Sequence, residues 1–124
     1  NIININYDDC LRADKTIIKK ALGNLKEYRF AVWVVGDVRD KNGLYRDFVG
    51  DTKQAFFDAG LKLYNDIVLL NAVGTAALRA GKQFQAGRKV VKLHQNVLVF
   101  YKGDPAKIKA DFGPVETMEN AEFE

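Results

Sequence analysis

The run of residues 29–38 restricts the fold of this chain more than any other feature. It reads Arg-Phe-Ala-Val-Trp-Val-Val-Gly-Asp-Val, with β-branched and aromatic residues in succession and no alternation of apolar and polar positions. Such a run is typical of a strand buried on both faces, as in the middle of a parallel sheet. We therefore expect a sheet that is covered on both sides, with a loop leaving the strand at 37–43.

Amphipathic helices are predicted on both sides of this strand. Apolar residues recur at helical spacing over 7–27 and again over 44–59. Gly60 follows the second helix and is suited to a left-handed C-terminal cap. We interpret the lysines on the first helix as a solvent-exposed face.

The second half of the chain contains two more strand-like segments. Residues 61–70 and 96–102 are rich in aliphatic and aromatic residues, and Asp104 followed by Pro105 predicts a short helix over 105–112. The strand–helix–strand order of the first two strands predicts that they are parallel. The fold class expected is α/β, a partial Rossmann-like sheet in three layers with an antiparallel final strand.

Composition is that of one ordinary globular domain spanning 1–124. Of the 124 residues, 48% are hydrophobic, yet none of the apolar runs approaches the roughly 18 residues of a membrane helix. The amino-terminal residues carry no signal-peptide pattern, and the lone Cys10 predicts a reducing, cytoplasmic setting. Because the sequence begins at Asn1 and its single methionine is Met118, we expect a fragment of a longer protein.

Charge is distributed unevenly along the chain, although the net value is only +3. No acidic residue lies between Asp66 and Asp104, whereas residues 114–124 form an acidic tail without a base. Within that gap, residues 71–95, here called the basic segment, are predicted to form a long loop punctuated by glycine. Segregated positive charge favours a polyanionic partner, with a solvated loop as the alternative.

The basic segment carries the residue types that bind nucleic acid. Cations supply salt-dependent affinity for phosphates, Gln and Arg can also contact base edges, and Phe84 could stack on a base or anchor the loop to the core. The predicted DNA-binding residues are Arg79, Lys82, Gln83, Arg88, Lys89, Lys92 and His94.

Signatures of common enzyme classes are absent from the sequence. It has no phosphate-binding glycine loop, no zinc-protease motif and no serine-hydrolase elbow, and one His with one Cys cannot build a zinc site. No metal is expected, and the catalytic residues are unknown. Asp37, Arg39 and Asp40 follow a strand, where ligands bind in open α/β sheets, so they are substrate-edge candidates; a capping role for Asp37 is equally compatible.

Several of these segments together resemble phage and prophage DNA methyltransferases. The resemblance lies in Phe30–Gly43, Tyr45–Thr52 and Ala59–Asn65, and is strongest in Arg79-Ala-Gly-Lys-Gln-Phe84, Gly87-Arg-Lys89 and His94–Pro105. It covers roughly residues 7–112. It implies an S-adenosylmethionine-dependent parent enzyme of the adenine-N6 or cytosine-N4 class.

The chain departs from this family in an important respect. The family's glycine-rich cofactor loop and its Pro-Pro-Tyr catalytic motif have no counterpart here, and the sequence contains no Pro-Pro pair. The resemblance therefore implies the C-terminal half of such an enzyme, which contributes DNA-binding surface, binds no cofactor alone and is inactive alone.

The resemblance also implies a geometry. The final strand inserts antiparallel between the strands at 29–38 and 61–70, which places the basic segment and the Asp37–Asp40 loop at one sheet edge, beside a flipped target base. Without the other half, the 29–38 strand has an open apolar edge, so we expect a homo-oligomer through it.

Two other functions remain open. The chain could be a stand-alone nucleic-acid-binding module, or a structural or assembly protein that binds a protein partner through the basic segment.

Overall fold

The computed structural model describes residues 7–72 and 74–116. Its elements are, in chain order, α1 (Tyr7–Gly23), β1 (Arg29–Val35), α2 (Phe48–Asp58), β2 (Lys62–Leu70), α3 (Ala76–Gly87), β3 (His94–Lys102) and α4 (Ile108–Phe112), the last preceded by a 3-10 turn at Pro105–Lys107. These elements confirm an α/β fold. The part of the predicted acidic tail from residue 117 onward lies outside the described residues.

The three strands form one sheet in the order β1-β3-β2. In one ladder Val32 pairs with Val99, and in the other Ile67 pairs with Val97; both ladders are antiparallel. The position of the final strand between the other two is confirmed. The predicted three-layer, Rossmann-like sheet with two parallel strands is wrong, because β3 separates β1 from β2 and every hydrogen-bonded strand pair is antiparallel.

One face of the sheet is packed against helices and the other is largely open. On β1, Val35 belongs to the core and Trp33 packs against it. Val32 and Val34 point to the other face and are 59% and 51% exposed. The prediction of a strand buried on both faces is therefore wrong. A continuous apolar run does not reveal which face is covered, because burial depends on what other elements pack there.

Aliphatic side chains from all three strands meet on the uncovered side, because directly paired residues share a face. We call this surface the open face; it consists of Val32, Val34, Ile67, Leu69, Val97 and Val99. At its end, Phe112 of α4 packs on Phe30, with ring centroids 5.3 Å apart. Of the three layers predicted, the layer on the open face is therefore formed only by α4 among the described residues.

The core on the packed face is centred on an aromatic stack. The rings of Phe56 on α2 and Phe100 on β3 lie parallel with centroids 4.0 Å apart, and Trp33 contacts Phe56 edge-on at 5.6 Å. Phe56 and Phe100 are 1% and 0% exposed. Ile18 and Leu22 of α1 complete this cluster, so the apolar stripe predicted for the first helix is buried.

Two helices are shorter than their apolar spacing predicts. α1 ends at Gly23 rather than at residue 27, because glycine is a poor helix former and the chain turns there with Leu25 N donating to Leu22 O at 3.1 Å. α2 begins at Phe48 rather than at residue 44, because Asp47 adopts a left-handed conformation (φ 53°) and its carboxylate accepts from Gly50 N. Gly60, with φ of 89°, follows α2 as predicted.

The predicted helix start at Asp104 and Pro105 is confirmed. The Asp104 carboxylate accepts from Ala106 N at 3.0 Å, and Pro105 occupies the first position of the 3-10 turn. The helical segment ends at Gly113, whose φ of 69° suits glycine. Within the residues the structure describes, no helix is long and apolar enough to cross a membrane.

The prediction of a loop throughout the basic segment is wrong, because residues 76–87 form the helix α3. Its sequence is composed mainly of Ala, Leu, Gln, Lys and Arg, which are good helix formers. The helix continues through Gly81. β3 also begins two residues earlier than predicted, so His94 and Gln95 belong to the strand.

The aromatic stack provides a test of the packed face. Replacing Phe56 by Ala removes the ring between Trp33 and Phe100 and should lower the free energy of unfolding by about 3–5 kcal/mol. Phe57→Ala is the matched control, because Phe57 is the next residue on α2 and is 43% exposed; its cost should be below about 1.5 kcal/mol. Urea unfolding followed by circular dichroism measures both, and equal losses would contradict this core.

Candidate nucleic-acid interface

Three chain segments meet at one edge of the sheet, here called the carboxyl edge. β1 ends there at Val35, β2 ends there at Leu70, and β3 begins there at His94, because Val35 pairs with Asn96 and Leu70 with His94. The loop of residues 36–47 and the basic segment therefore both leave the sheet at this edge. Asn71 N donates to Leu93 O at 2.8 Å, which closes the base of the basic segment.

Asp37 connects the elements of this edge. Its Oδ1 accepts from Val49 N at 3.0 Å, in the first turn of α2, and its Oδ2 lies 3.2 Å from Lys92 Nζ in the basic segment. The carboxylate thus joins the end of β1, the start of α2 and the approach to β3. This arrangement matches the capping alternative, and both carboxylate oxygens already have partners within the chain.

Asp40 and Arg39 organise the loop that follows. Asp40 Oδ1 accepts from the backbone N–H groups of Asn42 and Leu44 at 2.8 and 3.0 Å, and the bond from Leu44 is the main reason that the pKa of this carboxyl is lowered. Arg39 donates to Gly43 O at 2.7 Å and lies 4.0 Å from the centroid of the Tyr45 ring. Substrate contact by Asp37, Arg39 and Asp40 stays a prediction.

A cleft of about 780 Å³ opens between this loop and the start of α1. Its wall combines apolar side chains with three cations. The lining residues are Tyr7, Cys10, Val34, Val35, Gly36, Val38, Arg39, Asp40, Lys41, Arg46 and Phe48. The volume is within the range of small-molecule pockets, and the rim carries the Asp40 carboxylate beside its three cations.

Tyr7 is held firmly at the mouth of the cleft. Its hydroxyl donates to Asp51 Oδ2 at 2.6 Å, and the Arg46 guanidinium lies 4.6 Å from its ring centroid. Burial, followed by the hydrogen bond to Asp51, raises the pKa of Tyr7 well above its usual value. Like an ordinary tyrosine, the phenol is protonated at neutral pH, and it donates its hydrogen bond to Asp51.

α3 projects from the carboxyl edge with little contact to the sheet. Ala76 is buried at 3% exposure, but every later residue of the helix is exposed. Arg79, Lys82 and Gln83 lie on this helix, and the two cations have no ion-pair or hydrogen-bond partner among the described residues. Positive charge on a projecting helix is therefore available to a ligand.

The remaining cations of the basic segment contact other parts of the chain. Arg88 donates to Phe84 O and Gln85 O at 3.0 Å each, so it caps the C-terminus of α3. Lys89 lies against Gly43, with its Nζ 3.4 Å from where a Cβ on that glycine would be. Lys92 is paired with Asp37. The basic segment and the loop of residues 36–47 are thus in direct contact.

The structure separates the predicted residues into two groups. Arg79, Lys82 and Gln83 lie on α3 and Arg88 is its C-cap, whereas Lys89 and Lys92 contact the loop of residues 36–47. His94 is the first residue of β3 and is half-buried within the sheet. Among the described residues, no group of three His, Cys, Asp or Glu side chains could hold a metal ion.

Two of the substrate-edge candidates, Arg39 and Asp40, line the cleft, but the sequence does not identify its remaining residues. The apolar spacing assigns Tyr7, Cys10 and Phe48 to helices, and it leaves Arg46 to solvent or packing. Their chemistry is visible in the sequence, but their proximity is not, because it depends on how α1 packs beside the start of α2. The sequence does show an aromatic residue, Tyr7, at the start of the first helix and an arginine, Arg46, near the start of the second. These two residues are the signal from which the cleft could have been found.

No protein-family model and no curated protein matches this chain. Among solved structures, the fold is similar to that of a protein from Thermus thermophilus that is assigned provisionally as a DNA modification methylase. The TM-score is 0.61 at 16% sequence identity, and the alignment covers 91% of this chain and 41% of the other. The chain thus has a methyltransferase-like fold and spans less than half of that neighbour.

The role of Asp37 can be tested by substitution. Asp37→Ala removes the acceptor of Val49 N and leaves Lys92 unpaired, so the free energy of unfolding should fall by about 1–3 kcal/mol. Asp58→Ala is the control, since Asp58 is exposed on α2 and accepts a hydrogen bond from the neighbouring Gln54 side chain; it should cost below about 0.5 kcal/mol. Equal stability of the two variants in urea would show that Asp37 is not a structural link.

Proposed function

We propose that this chain is the C-terminal part of a DNA modification methyltransferase and contributes a DNA-binding surface to it. The observation that carries the proposal is the combination of a methyltransferase-like fold with a projecting basic helix, α3, at the carboxyl edge of the sheet. The parent enzyme is proposed to be of the phage or prophage type and to act in the cytoplasm on adenine N6 or cytosine N4.

The charge of α3 and its flanks supports binding to a phosphate backbone. Arg79 and Lys82 are unpaired within the described residues, and Lys89 extends the positive charge toward Gly43. Lys89 contacts the loop that lines the cleft, and Arg39 and Arg46 add positive charge there. Such contacts are electrostatic and give affinity that depends strongly on salt.

The cofactor of the proposed parent enzyme is S-adenosylmethionine. Its binding loop and the catalytic motif of the family are missing from the sequence, so the chain alone is proposed to be inactive and to bind no cofactor. The 41% coverage of the Thermus thermophilus neighbour is consistent with this division, because more than half of that protein lies outside the alignment.

A stand-alone nucleic-acid-binding module would use the same basic surface without a catalytic partner. A structural or assembly protein would instead bind a protein through the basic segment, and its affinity for DNA would be weak or absent. These alternatives predict different responses to salt and to S-adenosylmethionine.

DNA binding is tested by fluorescence anisotropy with a labelled duplex of about 20 base pairs at several salt concentrations. Each phosphate neutralised should contribute about −0.9 to the slope of log K against log salt. The double variant Arg79→Ala/Lys82→Ala should bind roughly tenfold more weakly and reduce the magnitude of this slope by about 2.

The control is Lys20→Ala/Lys26→Ala, which removes the same charge from exposed positions near the start of β1, at the opposite end of the sheet. It should leave the slope nearly unchanged. A flat response of the wild-type chain to salt, or equal losses in both double variants, would contradict α3 as a DNA-binding element.

Calorimetry with S-adenosylmethionine separates the methyltransferase from the stand-alone module. The 124-residue chain should give no binding heat, whereas the proposed parent enzyme, which adds the missing cofactor loop, should bind the cofactor. Cofactor binding by the isolated chain would contradict the proposed division, and the absence of binding by a longer product would favour the stand-alone module.

A further inference from the structure

Helix α3 presents one continuous face to solvent. Ala76 is the only buried residue of this helix, at 3% exposure, and Gln85 follows it by about two and a half turns. Gln85 therefore lies on the side of the helix opposite the buried contact. Residues at the spacing i, i+3, i+4 and i+7 share a face of a helix. Gln85 thus belongs to a stripe, here called the outer stripe, with Leu78, Gly81 and Lys82.

Gly81 is the least expected member of the outer stripe. Glycine weakens a helix interior relative to alanine, yet Gly81 lies in the middle of α3. Among the residues that the structure describes, a Cβ on Gly81 would meet nothing within 4 Å beyond its two neighbours and the helix's own backbone. Packing within the described chain therefore gives no reason for a glycine here. An exposed glycine does allow a ligand to approach the backbone closely.

Leu78 and Gln85 lie on either side of Gly81 along the outer stripe. Leu78 is 82% exposed, and Gln85 is exposed as well. In the major groove of DNA a glutamine amide matches the N6 and N7 atoms of adenine, and an apolar side chain contacts the methyl group of thymine. The two uncharged side chains of the stripe thus have the chemistry that distinguishes base pairs.

The dimensions and charges of α3 also fit a DNA groove. Its 12 residues form a helix about 18 Å long, and the major groove, about 12 Å wide, admits an α-helix. Lys82 belongs to the outer stripe, and Arg79, which follows Leu78, lies on the flank of the stripe on the same side as Lys82. When the stripe faces the floor of the groove, both cations lie toward the phosphates that border it, and phosphate contacts position a protein on DNA.

We propose that α3 is a recognition helix, which enters the major groove of duplex DNA with the outer stripe toward the base edges. Gln85 and Leu78 contact base pairs, and Gly81 lets the backbone approach the floor of the groove. Arg79 and Lys82 contact the flanking phosphates. The inference rests on the proposed function, because it takes DNA as the ligand of α3. It goes beyond that function by assigning sequence specificity to uncharged residues, which contribute nothing to the salt dependence.

Selection from a pool of duplexes with a randomised centre tests whether the chain prefers a sequence. The 124-residue chain should enrich a motif of about 3–5 base pairs, the span that one helix contacts in the major groove. Gln85→Ala should lower affinity for the selected duplex by about tenfold, and leave affinity for an unselected duplex and the salt slope unchanged. Gln54→Ala is the matched control, because Gln54 is an exposed glutamine on α2, outside the basic segment; it should preserve both affinities.

Gly81→Ala gives a second readout, in which stability and binding change in opposite directions. Alanine stabilises a helix interior, so this variant should unfold at a higher urea concentration than the wild-type chain. It should nevertheless bind the selected duplex about tenfold more weakly, because a methyl group then stands between the helix and the base edges. Gly23→Ala is the control, since Gly23 ends α1 and a Cβ there also has nothing within 4 Å beyond its neighbours and its own helix; its DNA binding should stay unchanged.

The results separate the recognition helix from the proposed function. A chain that binds DNA with the expected salt slope but enriches no motif overturns the recognition helix and keeps the DNA-binding surface. Equal loss of affinity for selected and unselected duplexes in Gln85→Ala, or wild-type affinity in Gly81→Ala, does the same. Absence of binding to any duplex overturns the proposed function as well.

Discussion

Packing of one sheet face against α1 and α2 is the interaction on which the rest of the structure depends. Phe56 and Phe100 stack at 4.0 Å in its centre, and Ile18 and Leu22 close it from the α1 side. This burial removes apolar side chains of β1 and β3, together with Leu63 of β2, from water and is the main source of stability available to the chain. It also orients the start of α2, and with it the loop that forms the carboxyl edge.

Asp37 connects the packed core to the carboxyl edge, where ligands are expected. Its carboxylate holds the first turn of α2 and Lys92 together, so the loop of residues 36–47 and the basic segment are fixed beside each other. α3 is different, since it is exposed along nearly its whole length and contributes charge rather than packing. The proposed DNA-binding surface therefore combines an internally bonded edge with an exposed basic helix.

The open face and the outer edge of β1 have a common origin. Each belongs to a sheet of three strands that α1 and α2 cover from one side, and the neighbour from Thermus thermophilus contains more than twice the length of chain. A sheet of this size leaves apolar backbone and side chains exposed unless something else covers them. The chain therefore carries association surfaces whose partners its own described residues do not supply.

Local chemistry was predictable from the sequence, and arrangement in space was not. The strands at 29–35 and 62–70, the cap at Gly60 and the turn at Asp104-Pro105 follow from side-chain shape and backbone preference, which act between near neighbours. The exposure of Val32 and Val34, the contact of Asp37 with Lys92 and the cleft between α1 and α2 were decided by tertiary structure. The reason is that each depends on which segment, distant in sequence, packs against a given surface, and a pattern along one strand carries no record of its partner.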